Sequence, residues 1–177
     1  MLLISSMTGE GTEKYQYYDA HFGRWPTPSE VMIDSAAWIM ERTEEGDKIQ
    51  VIGFDPLLYL YADREPATAY FTATRLRYEE TREVHQQRLA YALREERPKI
   101  VVEVMRDYMP WMVDNWRSSS ETIAFSPDLR DFLDDEYPIA RYNYYYQIRV
   151  RKDLPFAPSE EELKEMEEVT VPLELEG

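Results

Sequence analysis

Two short apolar runs, Lys48–Phe54 and Lys99–Met105, constrain the fold more than any other feature of this chain. Each has the length of a strand and is apolar at nearly consecutive positions, which is how a strand covered on both faces reads. Segments with a helical period surround them. Thr27 caps one, with Pro28 at the first helical position and Glu30 at the third; Ile33, Ala36, Ala37 and Met40, with Val31 and Trp38 alongside, recur at helical spacing until Gly46-Asp47 stops the helix. Asp55-Pro56 caps a second helix carrying Leu57, Leu58, Leu60 and Tyr61, and Ala69–Ala73 reads as a further strand. A charged helix before Pro98 turns His85, Leu89, Ala92 and Leu93 inward. Helix and strand alternating in this way predict parallel pairing through right-handed crossovers, hence an α/β fold with a small, mostly parallel, three-layer Rossmann-like sheet.

The last third adds a helix starting at Ser126-Pro127 and a stretch, Tyr142–Arg151, that alternates with period two. Tyr142, Tyr144, Tyr146, Ile148 and Val150 share one face; Asn143, Tyr145, Gln147, Arg149 and Arg151 share the other. This pattern predicts a half-exposed C-terminal edge strand, antiparallel to its neighbour. The company of Ile148 and Val150 makes the tyrosine face a core face rather than a platform for stacking carbohydrate. The sequence thus divides into a lead-in (1–26), an α/β domain (27–152), and a Pro-containing linker followed by an acidic tail helix (153–177), the helix opened by a capping box of Ser159 and Glu162.

Charge excludes one class of partner. With 20 Lys and Arg against 35 Asp and Glu, the formal net charge of -15 disfavours nucleic acid or an anionic membrane surface, both of which need clustered cations. The excess lies mainly at the ends: residues 151–177 hold three cations and nine anions, whereas residues 51–150 are nearly balanced. The absence of cysteine removes thiol nucleophiles and zinc fingers and suits an oxidising exterior. No dinucleotide, phosphate-loop, nucleophile-elbow or zinc-protease motif is present, and His21 and His85 lie on unrelated segments, so no cofactor, metal or catalytic residue is assigned.

In open α/β sheets, ligands bind outside the carboxyl ends of the strands. That rule selects Asp55, Arg75, Arg106, Asp107 and Tyr108, with Trp111 close behind, as candidate ligand-binding residues. A carboxylate pair with arginine and aromatic rings can hold a sugar or a polar headgroup. The plainer reading is that Asp55 caps the helix beginning at Pro56 and that Arg75 and Arg106 pair with nearby acids.

The stretch Gly46–Thr68 carries a resemblance. Gly46, Asp47, Val51, Gly53, Pro56, Tyr59, Arg64, Pro66, Ala67 and Thr68 fit a strand and helix leading into an Arg-x-Pro-Ala-Thr turn. Downstream, Pro98–Val102 fits a second strand, and Phe132-Leu133, Tyr137 and Arg149–Lys152 fit the ending. Over roughly residues 30 to 152 the chain resembles the C-terminal soluble portion of membrane glycosyltransferases of the dolichyl-phosphate-mannose protein mannosyltransferase-like superfamily. Asp63, where a small residue is expected, and the acidic tail depart from that pattern. The resemblance implies an extracytoplasmic domain beside a membrane active site that uses a polyprenyl-phosphate sugar. The catalytic carboxylates would stand on a loop outside this chain, so the domain itself is not catalytic. The implied partners are the membrane domain of the same parent protein and a glycan or protein acceptor. Two alternatives are a free-standing ligand-binding or interaction module of the same fold, and a small enzyme working through Asp55 and Asp107.

Overall fold

A computed structural model describes residues 28–156, apart from the side chains of Pro28 and Trp111. The predicted lead-in and tail helix lie outside the described residues. The elements in chain order are α1 (Pro28–Arg42), β1 (Lys48–Ile52), α2 (Leu57–Tyr61), β2 (Glu65–Pro66), α3 (Thr74–Arg77), α4 (Arg82–Glu96), β3 (Ile100–Val104), α5 (Pro110–Val113), α6 (Ser119–Ile123), α7 (Pro127–Glu136), β4 (Ile139–Tyr142) and β5 (Tyr146–Val150).

The five strands form one sheet in the order β2-β1-β3-β5-β4. The fold is α/β, but the sheet is mixed rather than mostly parallel: β1 runs parallel to β2 and β3, while β5 is antiparallel to both β3 and β4. The reason lies in residues 143–145. Asn143 Oδ1 accepts the backbone N–H groups of Tyr145 and Tyr146 at 3.0 and 2.8 Å, and Asn143 N donates to Tyr146 O at 2.9 Å. That side-chain turn breaks the alternating decapeptide into a hairpin, which can only pair antiparallel. The C-terminal strand therefore lies inside the sheet and is buried throughout, and β4 takes the edge.

A second correction concerns residues 69–73, which form no strand. Glu65–Pro66 supplies the short parallel partner of β1, and Ala67 N donates to Ile49 O at 2.8 Å. Beyond it the buried Gln50 side chain replaces the ladder, donating to Tyr70 O at 2.7 Å and accepting from Thr68 Oγ1 at 2.8 Å.

Apolar side chains bury both faces of the sheet. Ile49, Val51, Ile100, Val102, Val104, Tyr146, Ile148 and Val150 pack with α1, whereas Ile52 and Val101 pack with Leu89 and Leu93 of α4 and Leu129 and Leu133 of α7. The buried stripe of α1 is turned from the expected one. Val31, Met32, Ala36, Trp38 and Ile39 are buried, while Ile33 and Met40 are 53% and 44% exposed. The larger Trp38 and Ile39 face the sheet, and the bulk they remove from water decides the rotation of the helix. After β5, Leu154 N bonds to Arg151 O at 3.0 Å and Phe156 meets Trp38 edge-on at 5.7 Å, so the chain stays on the domain through Phe156.

One charge sits at the centre of β3. Glu103 is fully buried on the α7 side, where it accepts from Arg149 Nε, Arg130 Nη2 (3.1 Å), Ser120 Oγ (3.1 Å) and Gln147 Nε2 (3.1 Å). Arg149 is also buried; it donates to Tyr137 O at 2.9 Å and pairs with Asp134 at 2.8 Å. Removing one member of a buried ion pair leaves its partner uncompensated. Glu103→Leu should therefore cost about 3–5 kcal/mol in urea unfolding, since it removes the buried carboxylate on which Arg149, Arg130, Ser120 and Gln147 converge and leaves Arg149 only the exposed Asp134 as a counter-charge.

Candidate functional site

The carboxyl ends of β1 and β3 meet at Gly53. A Cβ on Gly53 would lie 2.0 Å from Val104 Cγ2, so only glycine lets the two strand ends approach this closely. The approach brings Phe54 N within 2.9 Å of Asp107 Oδ2. Asp107 also accepts Ser119 N at 2.7 Å and Ser119 Oγ at 2.6 Å. Ser119 is placed by the capping box that starts α6, in which Ser118 N donates to Glu121 Oε2 at 2.6 Å and Glu121 N to Ser118 Oγ at 3.2 Å.

Arg77 completes the arrangement from α3. Its Nη1 donates to Asp107 O at 2.8 Å and lies 3.5 Å from Asp107 Oδ1, its Nη2 donates to Arg117 O, and its guanidinium stands 4.9 Å from the Phe54 ring centre. Arg77 is 1% exposed, and its Nε is buried with no partner among the described residues. Burial pulls the guanidinium pKa down, opposed by the charges of Asp107 and Glu121.

Asp55 lies beside this group, half-buried, and accepts the hydroxyl of Tyr146 from β5. It is not the side-chain cap of α2. The cap position is Pro56, and Asp55 contributes only its carbonyl, bonded by Leu58 N at 3.2 Å. Burial raises the Asp55 carboxyl above the usual carboxylate range; the Tyr146 bond opposes this and the charge of Asp107 adds to it. Burial and the neighbouring Asp55 likewise push the Tyr146 hydroxyl well up.

The six predicted residues separate into groups. Asp55 and Asp107 lie near enough for the charge of Asp107 to act on Asp55. Arg75 does not join them: it is exposed on α3 and acts on His85, whose pKa is lowered by burial and by the charges of Arg75 and Arg88. Arg77, two residues on and on the buried side of the same short helix, takes its place. Arg106 pairs with no acid among the described residues; it donates to Tyr144 O at 3.1 Å and lies 3.8 Å over the Tyr144 ring. Tyr108 is 39% exposed at the rim, its hydroxyl pKa raised by burial and by Glu121. Trp111 belongs to α5, and its side chain lies outside the described residues. Sequence reasoning missed Arg77, Ser119 and Tyr146; the available signals were the Ser118-x-x-Glu121 capping box and the turn-forming Asn143. Among the described residues no three His, Asp or Glu side chains are grouped to hold a metal ion, and no helix is long and apolar enough to cross a membrane. No family model matches the chain, and neither curated proteins nor solved structures show significant similarity to it.

Two outcomes follow from this geometry. Asp107→Ala should lower unfolding free energy by about 3–5 kcal/mol, since it leaves buried Arg77 and two backbone N–H groups unanswered; urea denaturation measures it. Asp55→Asn acts in the opposite sense. A carboxyl whose folded pKa is raised binds its proton more tightly folded than unfolded, so wild-type stability falls as pH rises from the unfolded value near 3.8 through the folded one. The amide carries no such penalty, so thermal melts should show Asp55→Asn gaining on wild type between pH 3 and about pH 7; an equal difference at both pH values would contradict the assignment.

Proposed function

We propose that the chain is a non-catalytic domain of three-layer, Rossmann-like arrangement on the extracytoplasmic face of the membrane, part of a glycosyltransferase that uses a polyprenyl-phosphate sugar. It helps to position the acceptor or the membrane domain of the same parent. One observation carries the reading: the residues of the resemblance are tied into a single unit around β1. Gly46 has φ +90°, Asp47 pairs with Lys99 at 2.7 Å, and Val51 N donates to Tyr59 Oη at 2.7 Å. Arg64 donates to Thr43 Oγ1 and Thr43 O at 2.8 and 2.7 Å, and Thr68 binds Gln50. A motif made of such residues builds a scaffold rather than a reaction centre, which supports a domain whose chemistry lies elsewhere in the parent. The carboxylate of Asp107 is already occupied by three donors and an arginine, which weighs against a small enzyme built on Asp55 and Asp107.

Asp55 favours a second reading. One of its oxygens meets Tyr146 and the carboxyl remains half-exposed at the strand ends, so the domain also suits a ligand-binding module.

Sequencing the transcript upstream of Met1 tests the first reading; a continuous frame encoding several apolar spans is expected, and a frame without them sinks the tether. The isolated 177-residue chain should neither hydrolyse a polyprenyl-phosphate sugar nor transfer its sugar, and turnover above background would overturn the non-catalytic assignment.

A further inference from the structure

We infer that the aromatic half of the lead-in, residues 15–25, packs on an apolar face that α1 and α2 turn away from the sheet. Neither the membrane tether nor the strand-end site is needed for this. α1 is apolar on two sides. Val31, Met32, Ala36, Trp38 and Ile39 are buried, whereas Ile33, Ala37 and Met40, spaced as one helical stripe, stay open, Ile33 to 53% and Met40 to 44%. α2 is divided in the same way: Leu58 and Tyr59 enter the core that holds the buried side of α1, while Leu57, Leu60 and Tyr61 are 52%, 74% and 48% exposed. The two helices pack against each other on one face of the sheet, so their open sides form one outer surface. Apolar residues exposed singly need no explanation, but a group of them on adjacent turns of two packed helices marks a surface that something covers.

Composition, reach and charge select the occupant. Residues 15–25 hold Tyr15, Tyr17, Tyr18, Phe22 and Trp25, and they lead directly to α1, which Pro28 opens. Tyrosine suits a surface groove, with an apolar ring to bury and a hydroxyl that stays wet. Pro26 disfavours helix at residue 25, so the chain entering α1 is not a straight continuation of it. Ile33 lies roughly 8 Å along α1 from Pro28, within the reach of about 10 Å that separates Trp25 from Pro28 in extended chain. Residues 15–25 span up to about 36 Å, which exceeds the roughly 11 Å from Ile33 to Met40 and leaves length to continue onto α2. Charge separates the alternatives. Exposed Glu30, Asp34, Glu41, Glu44 and Glu45 border the stripe, and of these Asp34 is answered by Arg141 and Glu41 by Arg42. Residues 14–25 bring Lys14 and Arg24 against Asp19, whereas residues 157–177 bring eight glutamates and one lysine. A second copy would set the same acids face to face, so a dimer, the acidic tail and an anionic membrane all meet like charge here.

The test is nuclear Overhauser spectroscopy on the full 177-residue chain, with sedimentation to fix its oligomeric state. Rings of residues 15–25 should show contacts to the methyl groups of Ile33, Met40, Leu57 and Leu60 in a monomer. The double variant Ile33→Ser with Leu60→Ser changes only exposed side chains. It should lose those contacts and speed tryptic cleavage after Arg24 about fivefold or more, with a cooperative melt retained. Trp25→Ser, which alters the lead-in and leaves the described domain untouched, should weaken the same contacts and so provides an independent route if the double variant fails to fold. Absence of the contacts in the wild type, or contacts unchanged in Trp25→Ser, overturns the proposal. Contacts that appear only between differently labelled copies, in a sedimenting dimer, would give the face to a second copy and overturn it equally. So would open methyl groups that broaden only on adding phosphatidylcholine and phosphatidylglycerol vesicles. None of these outcomes bears on the coding frame.

Discussion

The Asp107 carboxylate ties α3 and α6 to the paired ends of β1 and β3. It takes a backbone N–H from the end of β1, a backbone N–H and a hydroxyl from the start of α6, and the charge of Arg77 from α3. Each of these groups, buried without an acceptor, would cost free energy comparable to a lost hydrogen bond or more. The whole depends on Gly53, because any side chain there would push β1 from β3 and take Phe54 N out of reach. A steric requirement at one residue thus sets the electrostatics of the strand ends.

The sheet contains a second ionic centre of different character. Glu103, in the middle of β3, is answered by two arginines from later in the chain, and together they fix how α7 and β5 seat on β3. Apolar residues of similar volume can be as stable or more so, so such a pair is weak grounds for stability. Its effect here is on arrangement: the register Glu103↔Gln147 places both Gln147 and Arg149 on the side where Glu103 can use them.

What was legible in the sequence follows the range of the forces involved. β1, β3, α4 and α7 were visible because burial along a continuous element imprints a period on nearby residues. The strand expected at 69–73 failed because a distant side chain, Gln50, took over the hydrogen bonds of that backbone. The alternating stretch after Tyr142 was misjudged because the side chain of Asn143 outweighed an unbroken alternation. At the strand ends, the positions of Asp55 and Asp107 follow directly from the strands they succeed. Arg77 and Arg75 differ only in which side of a four-residue helix is buried, and Tyr146 and Ser119 arrive from other parts of the fold. Within Gly46–Thr68, Tyr59 and Thr68 bind back to β1, whereas Asp47 and Arg64 reach Lys99 and Thr43 outside the stretch, contacts that nothing local announces.

The two borders of the sheet limit how another protein can engage it. β2 is two residues long, one a charged glutamate and the other a proline that offers no N–H. β4 is four residues long, its register with β5 is interrupted between Ile139 and Arg141, and Arg141 pairs with Asp34 at 2.9 Å. Neither edge presents the long, regular row of backbone groups on which an incoming strand could template itself. Among the described residues an incoming strand thus finds no ready template, and the same blunted borders disfavour edge-to-edge pairing with copies of the domain.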